Sequence, residues 1–384
     1  MKIRELTKKS VAALVSIALL VTLVLLKNST SVSEWIAINL SRKWVAVFGR
    51  IFSIIPFSVY ELGLYTAGIA VLAVAVVLVK RLAKRQYVPA VSLLFATITV
   101  VFSCLSVYTL SAGFNYNRSE ISLPGKDYAL TDQEVRQYSQ FFMDDFNHLS
   151  NKVKRDENGI VKCPYSFDKL NSVLQKEFKK LGGGYVSRYT PRGKKILSSW
   201  IMSQMHFTGV FFAPYGEVNV NAIMPDIDLP VTLAHEMAHA KGVMREDEAN
   251  MIAYYLTCGS DDEYIRYCGY SAVISRVLSA VHFDDDLRGE LYSSIDQKIR
   301  DDFNSVGEFW SNYNLFSKIS NFFNNLYLKL QGVKDGTGSY VDDDVIIDVP
   351  VEDGSGNIII ESRYIYSDLQ KTLYFLLKER ATRS

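Results

Sequence analysis

Three apolar runs in the first 112 residues constrain this chain more than any other feature. Residues 10–27 carry no charge before Lys27. Residues 56–79 carry one glutamate, Glu61, near their start, and residues 88–112 carry none. Each run is long enough to cross a hydrocarbon core of about 30 Å as a helix. In that core every backbone group must be bonded internally, so a chain with three spans crosses as helices. Residues 28–55 differ: Trp35, Arg42, Lys43, Trp44 and Arg50 alternate with aliphatics, which predicts an amphipathic segment lying on the membrane.

Charge sets the orientation. Lys2, Arg4, Lys8 and Lys9 precede the first run, and Lys80, Arg81, Lys84 and Arg85 separate the second from the third. Both clusters belong in the cytoplasm by the positive-inside rule. Arg42, Lys43 and Arg50 weigh mildly against this. A cleaved signal peptide in place of the first span is disfavoured, since no small-residue cleavage site follows it. The expectation is a multi-pass cell-membrane protein. A membrane domain covers 1–112, with spans near 10–27, 56–79 and 88–112, and an extracytoplasmic domain covers 113–384.

The chemistry concentrates at His235-Glu236-Met237-Ala238-His239. On a helix, positions i and i+4 share a face, so two imidazoles can meet one Zn²⁺ while Glu236 serves the attacking water as general base. The chain has only 5 histidines, and two fall at this spacing. Asp228 is placed to cap the helix, Pro230 fits its first turn, and Gly242 can end it in a left-handed turn. A catalytic zinc wants three protein ligands and an open position. Glu246 and Glu248, at the start of the next helix, are the rivals for the third. They lie on different faces, so one metal takes one of them.

Here the chain resembles the gluzincin-like HExxH zinc peptidases. That resemblance implies Glu246 as the ligand and Asn250 as the residue that orients a ligand histidine. The short gap from His239 to Glu246 departs from thermolysin-like enzymes. A narrower resemblance rests on an ordered set of segments: Phe114-Asn115-Tyr116-Asn117-Arg118, Pro214 to Asn221, the zinc motif with Glu246 to Asn250, Arg266-Tyr267-Cys268-Gly269-Tyr270, Tyr327-Leu328-Lys329, and Gly338-Ser339-Tyr340. This order is similar to an uncharacterised bacterial family of membrane-bound HExxH proteins, known as a domain of unknown function. Residues 341–363 fit that pattern poorly, which leaves the role of the 341–384 tail open.

The outer domain reads as mainly α with a small β-sheet, an α+β zincin-like metallopeptidase domain behind N-terminal transmembrane helices. Thr131 and Glu134 form a capping box opening a helix over 131–154, and 166–181 and 261–331 are also helical, the last broken near Asp284-Asp285-Asp286. The alternation within 209–221 reads as a strand; the resemblance to zinc peptidases implies an edge strand lining the cleft with Glu217 and Asn219 as substrate contacts, the alternative being a solvated strand face. Tyr267, Tyr270 and Tyr340 are candidate oxyanion donors among 23 tyrosines, while His148 and His206 read as packing or surface residues. Cys258 and Cys268 could pair, and core packing is the default for each. With 42 basic and 41 acidic residues, the expected partners are a peptide or protein substrate and the lipid membrane, not nucleic acid. The expected activity is zinc-dependent peptide hydrolysis. The alternative is a non-catalytic zinc-binding membrane sensor or scaffold.

Overall fold

The computed structural model describes residues 3–181, 184–331, 333, 345–352 and 358–383. It begins with α1 (Ile3–Lys27), then α2 (Thr30–Ile36), a π-helical turn over Ala37–Ser41, α3 (Arg42–Ser53), α4 (Val59–Ala83) and α5 (Tyr87–Ser111). The helices over 4–27, 59–83 and 87–111 are long and apolar enough to cross a membrane. α4 starts three residues later than the sequence suggests because Ser58 caps it, accepting the Glu61 N–H at 3.0 Å. α1 and α5 run parallel and pack along their length, with Lys9 Nζ on Ser92 Oγ at 3.0 Å near their starts. The short turn between α4 and α5 makes those two antiparallel. Lys27, Ser58 and Ser111 therefore mark one common end of the spans. The basic residues around Lys8 and Lys84 mark the other.

The segment between the first two spans does more than lie on a membrane. Trp44 Nε1 donates to Pro214 O at 3.0 Å and Arg42 Nη1 to Gly184 O at 2.8 Å. Gly49 of α3 sits so close to Gly216 (φ +62°) that a Cβ on Gly216 would lie 2.7 Å from Val45 O. The interfacial reading is corrected to this extent: one face of α3 docks on the domain that follows the apolar helices, and Val47, Ile51 and Ile54 stay exposed on the helix and its end.

The rest of the chain is mainly helical around a small mixed sheet, as expected. Its elements are α6 (Asp132–Ser150), α7 (Phe167–Glu177), β1 (Gly193–Ile196), α8 (Ser199–Gln204), β2 (Gly209–Phe212), β3 (Glu217–Asn221), α9 (Leu229–Ala240), α10 (Glu246–Cys258), α11 (Glu263–Ala280), α12 (Asp285–Ser293), α13 (Gln297–Ser311), α14 (Ser317–Leu330), β4 (Val345–Glu352), β5 (Ile358–Ile365) and α15 (Asp368–Ala381). Thr131 and Glu134 form the capping box of α6. The helical run is broken at 281–284 as expected, and Asp284 opens the next helix by accepting the Leu287 N–H at 2.9 Å.

The expected single strand over 209–221 is two strands joined by a tight reversal. The sheet order is β1-β3-β2, with β1 parallel and β2 antiparallel to β3. β3 is thus the fully buried centre and β2 is the edge, a correction to the edge assignment of Glu217 and Asn219. The core is built where α6, α9, α10, α11 and α15 meet, around Phe142, Phe146, Leu233, Met237, Tyr267 and Tyr374. The β4–β5 hairpin and α15 occupy the tail whose role the sequence left open. α15 is capped by Ser367 and Gln370 and buries Leu373 and Leu377. Cys258 and Cys268 are buried and unbonded to each other.

Candidate metal centre

The motif helix is α9. Pro230 lies in its first turn as expected. Asp228 does not cap it through its side chain; its Oδ2 accepts Trp310 Nε1–H at 3.4 Å instead. Leu233, Ala234, Met237 and Ala238 are fully buried in the core, so the helix is fixed by packing and not by capping. Gly242 then reverses the chain at φ +94°, with Arg118 Nη1 donating to its carbonyl at 3.2 Å. A Cβ there would press on Asn115 Oδ1 at 3.2 Å. This reversal brings the first turn of α10 back across the end of α9.

The result is a convergence of three donors. Glu246 Oε2 lies 3.2 Å from His235 Nε2 and 3.5 Å from His239 Nε2, and one ligand atom from each residue falls within 4.8 Å of the others. Zn–N and Zn–O bonds of about 2.0–2.1 Å at tetrahedral angles separate ligand atoms by roughly 3.3 Å, so the spacing fits. Two further observations favour a cation. Val243 O can only accept, so its 2.7 Å contact with His239 Nδ1 puts the proton on Nδ1 and turns the Nε2 lone pair toward Glu246. Glu246 Oε2 is itself buried and makes no hydrogen bond.

The electrostatics state the same demand. Burial pushes Glu246 up, but the charge on His239 and the close approach of both imidazoles pull it far below the usual carboxylate range. Burial pushes His239 down, and the Glu246 charge more than reverses this, to about 9. A divalent cation satisfies the same carboxylate while both imidazoles stay neutral.

Glu248 is absent from this cluster. Its Oε1 accepts the Ile121 N–H at 2.9 Å, and Tyr185 Oη donates to its Oε2 at 3.4 Å. Asn250 lines a separate cleft with Arg245, Glu248, Met251 and Arg276. The orienting partner of His239 is the Val243 carbonyl.

Glu236, 6% exposed, faces the edge strand, its carboxylate close to the Phe211 backbone N–H. A Cβ on Gly209 would sit 2.5 Å from Glu236 Oε1, so only glycine leaves this carboxylate its place. Tyr60, in the first turn of α4, stacks 5.0 Å from Phe212 and is near enough to feel the Glu236 charge. On the other side, Tyr327 Oη bonds Tyr108 Oη and lies 3.2 Å from Tyr116 Oη. Burial raises Tyr116 and Tyr327 well above the ordinary tyrosine range, with the Glu246 charge adding to it. Tyr116 packs with Met244, Ala213 and Leu328, which joins the end of α5, α14, the end of β2 and the ligand turn.

These tyrosines were missed as site residues, although Tyr116 and Tyr327 stand in the segments that carried the family resemblance. The tyrosines that were singled out lie elsewhere. Tyr267 Oη donates to Asp302 at 2.5 Å and Tyr270 Oη to Asp145 at 3.0 Å, both in the α11 core. Tyr340 lies outside the described residues. Glu217 is spent on structure: it pairs with Lys194 and accepts the Val59 and Tyr60 N–H groups at 3.3 and 2.7 Å. Asn219 is fully buried in β3 beside it. His206 is held by Tyr313 O and stacks 5.5 Å from Trp310, and His148 is exposed.

No curated protein and no solved structure matches the chain. The family model described as Protein of unknown function (DUF3810) matches residues 39–344, which takes in two of the spans, the sheet and the whole His–His–Glu cluster. The chain belongs to the DUF3810 family.

Proposed function

We propose that this protein is a membrane-anchored zinc metallopeptidase that hydrolyses peptide bonds on the extracytoplasmic side, with a zincin-like catalytic domain over 113–384. The observation that carries the reading is the convergence of His235, His239 and Glu246 with Glu236 beside them on the same helix. His235, His239 and Glu246 would hold Zn²⁺, which when bound supplies Lewis-acid polarisation of the scissile carbonyl and of a water. Glu236 accepts the proton of the attacking water and passes it to the departing amine. The outward edge of β2 runs past Glu236 and offers backbone groups to an extended substrate. Tyr327 and Tyr116 are the hydroxyls available on the other side for the oxyanion. A structural metal site has no use for a buried glutamate next to its ligands, which weighs against the sensor or scaffold alternative.

Purified full-length protein should carry about one zinc per chain. Glu236→Gln should keep that zinc and lose hydrolysis of a peptide library by a factor on the order of 10² to 10⁴, since the amide cannot take the proton. In the same assay Tyr327→Phe should lower kcat by about 10²-fold with little change in KM. Equal rates for wild type and Glu236→Gln would sink the mechanism. Zinc binding with no cleavage by any form would favour the sensor.

The basic clusters at the span ends away from the domain support the outward orientation. A cysteine introduced at position 120 should react with an impermeant thiol reagent in intact cells, and one at position 83 should not. The reverse pattern would turn the protein over.

A further inference from the structure

Helix α14 carries its apolar residues on the wrong side for a helix in water. Leu328 turns inward to the tyrosine cluster, yet Phe322, Phe323, Leu326 and Leu330 follow the i, i+3/i+4, i+7 spacing of one stripe and are 65, 61, 45 and 73% exposed. Burying each such side chain is worth roughly 1.5–3 kcal/mol, so a bare stripe of this size is a surface awaiting a covering. A second bare group precedes and opens α8: Leu197 is 85% and Trp200 54% exposed.

What covers them is indicated by where they are tied. The end of α14 is bound to the ends of two spans: Lys27 Nζ of α1 donates to Gln331 O at 3.0 Å, and Tyr327 bonds Tyr108 of α5. Leu197 and Ser198 donate their N–H groups to Glu61 in the first turn of α4 at 2.8 and 2.7 Å. The two bare groups meet through Gln204, whose carbonyl accepts the Phe316 N–H at 3.1 Å. All three attachment points lie at the common end of the spans. Both groups are thus continuous with the membrane-crossing helices at the level where the bilayer surface must be. An exposed Trp and Phe residues beside aliphatics are the composition of an interfacial anchor.

We propose that the α8 and α14 faces dock on the bilayer surface, lipid being the occupant, and that the site acts on polypeptide held at that surface in preference to free peptide. The second half rests on the peptidase reading; the first does not. Tyr60 and Tyr108, from the ends of α4 and α5, flank the site on the Glu236 and Glu246 sides. A polypeptide emerging from the membrane therefore meets the site at its own depth.

The test uses full-length protein in phosphatidylcholine–phosphatidylglycerol vesicles containing a lipid with a photoreactive group high on its acyl chain. Adduct positions are mapped by mass spectrometry beside a water-soluble carbene reagent. Cleavage is then compared for one peptide sequence presented free and presented next to a single membrane-anchoring helix. The expected result is lipid adducts within 197–201 and 315–330 as well as on the spans, with the anchored peptide cut about tenfold faster or more. Adducts confined to the spans, with the two faces labelled from water, overturn the docking surface. Labelling of the faces by neither reagent, as when a second protein covers them, overturns it as well. Lipid adducts with equal cleavage of both peptides overturn the substrate preference and leave the peptidase standing. Lipid adducts with cleavage of neither peptide overturn the peptidase reading and its substrate, and leave the docking surface standing.

Discussion

Glu246 on α10 and Asp302 on α13 are both hidden from water, yet their surroundings are opposite. Asp302, 1% exposed, accepts from Arg155 Nη1 at 2.9 Å, the Val161 N–H at 2.8 Å and Tyr267 Oη at 2.5 Å. Its charge is neutralised and its lone pairs are filled, which is how a folded chain keeps a buried carboxylate for structure. Glu246 meets two imidazole nitrogens with an oxygen that makes no hydrogen bond. A buried carboxylate so placed is costly unless a positive charge, a protonated imidazole or a cation, stands beside it. The contrast is between a carboxylate whose partners are all in place and one whose surroundings fit the cation proposed above.

The sharpest way to break this contrast is to empty the site. His235→Ala, His239→Ala and Glu246→Ala should each remove most of the zinc, read by metal analysis of the purified protein. Glu248→Ala should keep zinc, although it strands the Ile121 N–H and lowers stability. Full occupancy in either histidine variant ends the metal reading, and zinc lost in Glu248→Ala but kept in Glu246→Ala moves the third ligand.

The complementary experiment empties the structural region. Tyr267→Phe leaves Asp302 and Arg155 short of one hydrogen bond in the core, at a cost of about 1–3 kcal/mol, and should not change zinc content. Thermal unfolding and metal analysis on the same sample check both halves. Zinc loss without loss of stability would place Tyr267 in the site after all.

What the sequence disclosed follows the range of the interactions involved. The helix carrying His235 and His239 on one face, the glycine turn after it and the capping box of α6 depend on residues within a few positions of one another, and all were legible. So were the three spans, because length and apolarity decide them without reference to partners. The choice of Glu246 over Glu248 came from a pattern, while its physical cause, Ile121 holding Glu248 away, joins residues 127 positions apart. The edge strand was misassigned because alternation along 217–221 reads the same for an edge and a centre, and only the pairing with β1 decides. The tyrosines show the limit most plainly. Tyr267 and Tyr116 are equally good hydroxyls on paper, and which of them lies near Glu246 depends on how α5, α14 and α11 pack.

Asp228, at the start of α9, is an intermediate case and gives the smallest and most specific effect. It is half-buried where Asp302 is fully buried, and its partner is a weak one, the Trp310 indole N–H at 3.4 Å. Burial pushes its carboxyl up to about 6, with Trp310 pulling the other way. The folded state therefore binds the proton more tightly than the unfolded chain. The stability this gives is fully present below about pH 4, falls as the pH rises through 6, and is absent above it. Asn at this position accepts the same indole N–H and serves a helix start as well as Asp does. Asp228→Asn should thus raise the unfolding temperature by a few degrees near pH 7.5, about the size expected for 1 kcal/mol or so. The gain should shrink through pH 6 and vanish near pH 4, with zinc content unchanged where both proteins bind it. A gain independent of pH would mean that the carboxyl is not strained by burial, and Asp228 would then belong with Asp302 among the satisfied groups.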